Sequence, residues 1–196
     1  MENQTLQYYD QNAEQFVTGT LAADMADTRK RFLDCLPAGA LILDFGCGSG
    51  RDTKAFLEAG YRVDATDGSQ EICEKATALT GIRVKRMLFT ELDAKDTYDG
   101  IWACASILHQ NKSELADVLR RIEKALKPGG VLYASFKYGT YEGFRNGRYF
   151  TYFTEESVRE FWSNETSLQI FDIRISQDVR TGREGVHWIN LLARRV

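Results

Sequence analysis

The chain has 196 residues, 43% hydrophobic and 12% aromatic, a balance that excludes a disordered chain and allows one domain over 1–196 with a sizeable core. Its net charge is −3, with no long basic run and no stretch near the roughly 18 apolar residues of a membrane span, so neither a dedicated nucleic-acid surface nor a membrane anchor is expected. The four cysteines, Cys35, Cys47, Cys73 and Cys104, form no CxxC pair, so a disulfide framework or a zinc site is not expected, and a reduced, cytoplasmic setting is.

The opening stretch MENQTLQYYDQNAEQF lacks the apolar core of a signal peptide. Leu6, Tyr9, Ala13 and Phe16 recur at helical spacing and predict an amphipathic helix. Leu21, Met25, Phe32 and Leu36 predict a second, stopped before Pro37. Leu41 to Phe45 is a short apolar run ending in glycines, the pattern of a buried parallel strand. A helix over 51–59 follows, closed by Gly60. The alternation then repeats. Tyr61 to Thr66 reads as a strand, Asp67-Gly68-Ser69 as its turn, and a helix with Ile72, Ala76 and Leu79 inward ends at Gly81. Ile82 to Phe89 and Gly100 to Ala105 read as strands. Ser113 is placed to cap a helix facing inward through Leu115, Val118, Leu119, Ile122 and Leu126. Lys127-Pro128-Gly129-Gly130 ends it, and Val131 to Lys137 is the next strand. Thr154 is a candidate cap for a helix through Trp162, with Glu155 and Glu156 in its first turn. Two late strands, about 168–176 and 186–195, have only a loop between them and are expected to form an antiparallel hairpin. Strand–helix alternation of this kind predicts an α/β fold, a parallel sheet covered by helices on both faces.

The stretch LILDFGCGSGRD, residues 41–52, carries the strongest functional signal. A glycine turn at the carboxyl end of a buried strand lets a ligand approach bare backbone, and the next helix offers free N–H groups. The dinucleotide fingerprint needs GxGxxG; here Arg51 stands at the third-glycine position and the spacing is GxGxG. No GK[ST] follows, which excludes a P-loop. Asp67 ends the next strand, where a carboxylate accepts both hydroxyls of a ribose. A plain turn-forming role for the glycines and for Asp67 stays open.

LDFGCGSG, the acid after the second strand, YDGIWACASILH and LKPGGVLYASF together resemble the class I S-adenosylmethionine-dependent methyltransferases, across nearly the whole chain from YYDQNAEQF onward. The form GCGSGRD and the size look nearest to small bacterial members, among them the tellurite-resistance-type methyltransferases. The resemblance implies a Rossmann-like, doubly wound sheet of seven strands in the order 3-2-1-4-5-7-6 with strand 7 antiparallel, and lid helices within 1–36. It implies S-adenosylmethionine as cofactor. Gly46, Cys47 and Gly48 would pass under its methionine part, and Asp44 would orient its ammonium. Asp67 would hold the ribose, with Gly68 and Ser69 beside it. Met87 and Leu88 fall where the family contacts adenine; many members have an aspartate there, and this chain does not. Ala105 and Leu108 would close the other side, and Tyr9 and Phe16 match the lid.

Transfer from a sulfonium is an in-line displacement, so the protein supplies orientation and a dry site. A hydroxyl acceptor needs a general base, and His109 is the candidate, with a purely structural histidine as the alternative. His187 reads as structural. Arg51 is placed either to meet the cofactor carboxylate or to pair with Asp52 or Glu58. Residues 137–153, KYGTYEGFRNGRYFTYF, follow the fifth strand, where the family shapes its substrate pocket. There Arg145 and Arg148 would meet an anionic substrate, and Tyr138, Tyr149 and Phe150 would wall the pocket. Cys104 is expected to be buried and inert, and Cys47 to be open to thiol reagents. The expected partner is a small-molecule methyl acceptor, on a monomer or homodimer, with no metal. The alternatives are an RNA or protein methyltransferase and a non-catalytic cofactor-binding module.

Overall fold

The computed structural model describes residues 2–180 and 182–196. The chain begins with α1 (Glu2–Gln11), α2 (Ala13–Leu21) and α3 (Ala26–Leu33). It then alternates through β1 (Leu41–Phe45), α4 (Arg51–Glu58), β2 (Arg62–Asp67), α5 (Gln70–Thr80), β3 (Lys85–Arg86), β4 (Tyr98–Ala103), α6 (Lys112–Ala125) and β5 (Leu126–Lys137). A separate hairpin, β6 (Glu142–Arg145) and β7 (Arg148–Thr151), precedes α7 (Glu155–Glu165), β8 (Gln169–Gln177) and β9 (His187–Arg194).

Seven strands form one sheet in the order β3-β2-β1-β4-β5-β9-β8. Counting only the strands of this sheet, that is 3-2-1-4-5-7-6. β1 runs parallel to β2 and β4, β4 parallel to β5, and β9 antiparallel to both β5 and β8. The expected α/β order is therefore the one found. Period-2 alternation assigns the two faces. Leu43, Phe45, Ile101, Ala103 and Leu132 point to the face covered by α6 and α7. Ile42, Trp102, Val131 and Tyr133 point to the other, against Phe32 of α3 and Phe56 of α4. There the Trp102 and Tyr133 rings stack with centroids 3.9 Å apart.

Several boundaries differ from those the sequence predicts. The first helix is two helices, because the Asn12 side chain donates to the Tyr8 carbonyl (2.7 Å) and ends α1. The second begins only at Ala26, whose N–H donates to Asp24 Oδ1; Leu21 lies outside it and is exposed. Only Lys85–Arg86 of the expected 82–89 strand pairs, since β3 is the sheet edge with β2 as its one neighbour. Asn111, not Ser113, caps α6: its Oδ1 accepts from Glu114 N (2.9 Å), and the Glu114 carboxylate accepts from Asn111 N. Thr154 caps α7 as expected. The β6–β7 hairpin was not predicted. Residue 1 of the expected lid segment and Thr181 of the late loop lie outside the described residues.

Candidate active site

A cavity of about 620 Å³ opens at the carboxyl ends of the central parallel strands. That is within the roughly 300–1,000 Å³ typical of small-molecule pockets. One end is built by the glycine loop. Gly46 and Gly48 adopt φ of 81° and 54°, the left-handed region that glycine enters without cost. A side chain at Gly46 would strike Ser106 Cβ at 2.5 Å, and one at Gly48 would press on the Phe16 ring at 3.1 Å. The bareness of the loop is thus set partly by the protein's own packing, with Phe16 of the lid lying on Gly48.

Two carboxylates face this end. Asp44, at the end of β1, is 2% exposed and accepts from Thr53 Oγ1 at 2.5 Å. Burial, then the charge of Asp52, pushes its carboxyl up to about 8, against the pull of Thr53. Asp67 ends β2. Its Oδ2 accepts from Gly48 N and its Oδ1 from Ser69 N, both at 3.0 Å. Burial raises it to about 6, with these backbone bonds pulling the other way. Neither carboxylate has a cation in salt-bridge contact among the described residues. Asp67 thus belts the glycine loop to the next turn and keeps about two lone-pair directions free.

Arg51 is already engaged. It forms a fork with Asp52 (3.0 and 2.6 Å) and donates to the Thr20 carbonyl (3.2 Å). Asp52 also accepts from Arg29 (2.7 Å) and from Trp102 Nε1 (3.0 Å), and is 4% exposed. The arrangement ties the start of α4 to the lid and the core. It is a buried network, and of the partners considered from sequence Arg51 takes Asp52.

The other end is shaped by β4, β5 and the hairpin. Ala105 sits at φ 52°, strained for a residue with a Cβ, and its N–H donates to Ser135 Oγ (2.8 Å). His109 Nδ1 lies 2.6 Å from the Tyr149 carbonyl, and its Nε2 2.8 Å from the Tyr9 hydroxyl. A carbonyl only accepts, so Nδ1 carries the proton and Nε2 accepts from Tyr9. Burial, with Arg148 and Lys137 nearby, lowers the imidazole to about 4. Helix α1 is fastened over the hairpin by this bond, by Tyr149 N donating to Thr5 Oγ1 (3.0 Å), and by Arg148 over the Tyr8 ring at 4.4 Å.

Most expected site residues line this one cavity: Tyr9, Phe16, Asp44, Gly46, Cys47, Gly48, Arg51, Asp67 and Gly68, with Met87, Leu88, Ala105, Leu108, His109 and Arg148. Ser69 does not; it is fully buried and caps α5 through Ile72 N. Tyr138 and Arg145 are exposed on the hairpin side, and the Tyr149 hydroxyl turns out to Glu142. Cys104 lines the wall, and burial pushes its thiol up to about 12; Cys47 is raised as well, so neither is a thiolate at neutral pH. Lys137, Phe150 and Trp188 also line the cavity. Phe150 is one of the wall residues expected from sequence. Lys137 opened the stretch 137–153 without being distinguished, and nothing in its neighbours marks Trp188. Among the described residues, no cluster of His, Cys, Asp or Glu is fit to hold a metal ion, and no helix is long and apolar enough to cross a membrane.

Residues 42–130 match the family model described as a methyltransferase domain. Over that segment the chain is similar to methyltransferase domains. Among solved structures it resembles the 1,6-didemethyltoxoflavin-N1-methyltransferase of Burkholderia thailandensis, determined with 1,6-didemethyltoxoflavin and S-adenosylhomocysteine bound. The TM-score is 0.81 at 25% identity, over 100% of this chain and 88% of that one. Among curated proteins it is similar to the cypemycin N-terminal methyltransferase of Streptomyces sp., at 33% identity over 48% of this chain and 41% of that protein. N-terminal Xaa-Pro-Lys N-methyltransferase 1 of Rattus norvegicus is 34% identical over 46% of this chain and 44% of its own. The match spans less than half the length of either curated relative.

The Burkholderia thailandensis structure holds S-adenosylhomocysteine, the product left when S-adenosylmethionine gives up its methyl group. The donor set of the cavity suits it: Asp67 has free lone pairs for a diol, and Asp44 is a buried carboxyl with no cation bonded to it, complementary to an ammonium.

Proposed function

We propose that this chain transfers the methyl group of S-adenosylmethionine to a small-molecule acceptor held beneath the β6–β7 hairpin, within one domain over 1–196 whose helices α1 to α3 form the lid. The observation that carries the reading is the pair of carboxylates, Asp44 and Asp67, facing one cavity without a salt-bridge partner among the described residues. When bound, the cofactor supplies a methyl on a sulfonium, whose S–C bond breaks with its electron pair left on sulfur as the acceptor's lone pair bonds the carbon.

In this reading Asp67 accepts from the two ribose hydroxyls, with Gly68 beside it, and Ser69 acts through Asp67 by donating its backbone N–H. Asp44 meets the ammonium, and Gly46, Cys47 and Gly48 run under the methionine part. Met87 and Leu88, neither of which carries a carboxylate for its amino group, flank the adenine on one side, and Ala105 and Leu108 on the other. Tyr9 and Phe16 exclude water from above. His109 is a positioning residue: its Nε2 holds the Tyr9 hydroxyl and its Nδ1–H the hairpin, leaving no free nitrogen for a proton of the acceptor. Arg148 is the arginine on the acceptor side. The four free thiols agree with a reducing, cytoplasmic setting.

A second reading, methylation of a peptide N-terminal amine, is supported by the names of the two curated relatives. Thermal unfolding tests the common part. S-adenosylmethionine and S-adenosylhomocysteine at 100 times their Kd each add about 2.7 kcal/mol, or roughly 5–10 °C for a chain of this size. NAD adds nothing. A shift with NAD and none with the other two overturns the proposal. Label transfer from methyl-labelled cofactor to small molecules, but not to peptides with free amino termini, separates the two readings.

A further inference from the structure

Two cations converge on one aromatic ring in the part of the cavity that the cofactor reading leaves to the acceptor. Lys137 Nζ lies 4.4 Å from the Phe150 centroid, and the Arg148 guanidinium carbon 5.3 Å from the same centroid. Both side chains line the cavity. Among the described residues neither has a carboxylate partner: Glu142 of the same hairpin is paired with Lys112, and Asp178 across the cavity with Arg180. Arg148 Nε is buried and has no hydrogen-bond partner. Arg183, a third cation, lines the same cavity. Like charges crowded over one ring, with an orphaned buried N–H, are costly in the free protein. The same two cations also pack on rings of the fold, Arg148 on Tyr8 at 4.4 Å and Lys137 on Tyr152 at 5.5 Å, contacts that leave their charges uncompensated. A bound anion removes both costs, and an arginine beside a lysine matches a carboxylate or phosphate.

Resting on the methyltransferase reading, we propose that the acceptor is an anionic small molecule whose negative group sits between Lys137 and Arg148, beside the Phe150 ring. The site's other features agree. An acceptor whose nucleophilic atom carries the charge has no proton to lose: its lone pair forms the new bond to carbon and the product is neutral at that atom. No base is then needed, as expected where both His109 nitrogens are already hydrogen-bonded. An amine acceptor, by contrast, becomes a methylated ammonium beside two fixed cations, which disfavours the peptide N-terminus.

The test uses protein saturated with S-adenosylhomocysteine and two probes of one shape, benzoate and neutral benzamide, in calorimetric titration at low salt. Benzoate is expected to bind at least about tenfold tighter than benzamide, the scale of one charged hydrogen bond. Lys137→Met is expected to remove at least that tenfold preference while keeping its affinity for S-adenosylhomocysteine, and Arg148→Gln to remove it as well. Equal binding of the two probes, no binding of either, or an unchanged preference in both variants overturns the anion site. Failure of the wild type to bind S-adenosylhomocysteine counts instead against the methyltransferase reading on which it rests.

Discussion

Replacing Asp67 by alanine separates ligand binding from loop structure. The carboxylate holds Gly48 N and Ser69 N at 3.0 Å each. Its remaining lone pairs are the ones assigned to the ribose hydroxyls. Charged hydrogen bonds contribute about 1.5–3 kcal/mol each; two at the lower end make about 3 kcal/mol, or about two decades in Kd. The folded protein loses less. Gly48 N lines the open cavity, and water entering the space that the Asp67 carboxylate vacates reaches the buried Ser69 N behind it, at a cost of about 1 kcal/mol. Removing a carboxylate that burial has raised to about 6 offsets part of that. The expected fall in Tm is therefore roughly 2–4 °C or less. Asp67→Asn keeps one acceptor oxygen but turns an NH2 toward one of the two backbone donors, so its affinity lies between the others while its stability gains nothing over alanine. Calorimetric titration with S-adenosylhomocysteine, alongside thermal unfolding of all three proteins, measures both effects. Equal affinities in three folded proteins would falsify the placement of the ribose and leave Asp67 as a belt for the loop.

Two further outcomes follow from the buried ionisable groups. His109 is lowered from 6.5 to about 4, so the neutral form is favoured by folding; that stability is complete above pH 6.5 and is lost as pH falls toward 4, up to about 3 kcal/mol. Unfolding titrations should show this part of the acid slope in the wild type and not in His109→Gln; identical slopes would refute the burial argument. Asp44 is raised from 3.8 to about 8, so any stabilisation from its neutral form is present at low pH and lost as pH rises through 8. At pH 7 it holds its proton, and a ligand ammonium placed against it should release up to about one proton, seen as a binding heat that depends on the buffer's ionisation enthalpy. Asp44→Asn should abolish the dependence, and a wild-type heat indifferent to buffer would place the ammonium elsewhere.

The parts of the site legible in the sequence are those whose chemistry is local. An apolar run that breaks into Gly46-Cys47-Gly48 can only be a buried strand meeting a tight turn, and an acid at the end of the following strand falls beside it because parallel neighbours are in register: Phe45 pairs with Thr66, one residue before Asp67. Strand order was legible through resemblance, and the helix-capping residues through their short side chains, though Asn111 won over Ser113 because the Glu114 carboxylate completes the box.

What the tertiary structure alone decided is which side chains meet across long separations in the chain. Tyr9 and His109 were each singled out, but only folding brings them to 2.8 Å, and only folding puts the Tyr149 carbonyl 2.6 Å from Nδ1, which sets the tautomer. Arg51 had several possible partners on paper; Arg29 and the Trp102 indole fix Asp52 in place and leave Arg51 bound to it. Tyr138, Arg145, Tyr149 and Arg148 looked alike in one aromatic, basic stretch. The β6–β7 hairpin sorted the last three, since alternate residues of a strand face opposite sides: Arg148 and Phe150 go in to meet Lys137, while the Tyr149 side chain turns out. Backbone turns and strands are written in neighbouring residues. Partnerships between charges depend on burial and on distance through space, which no short window of sequence contains.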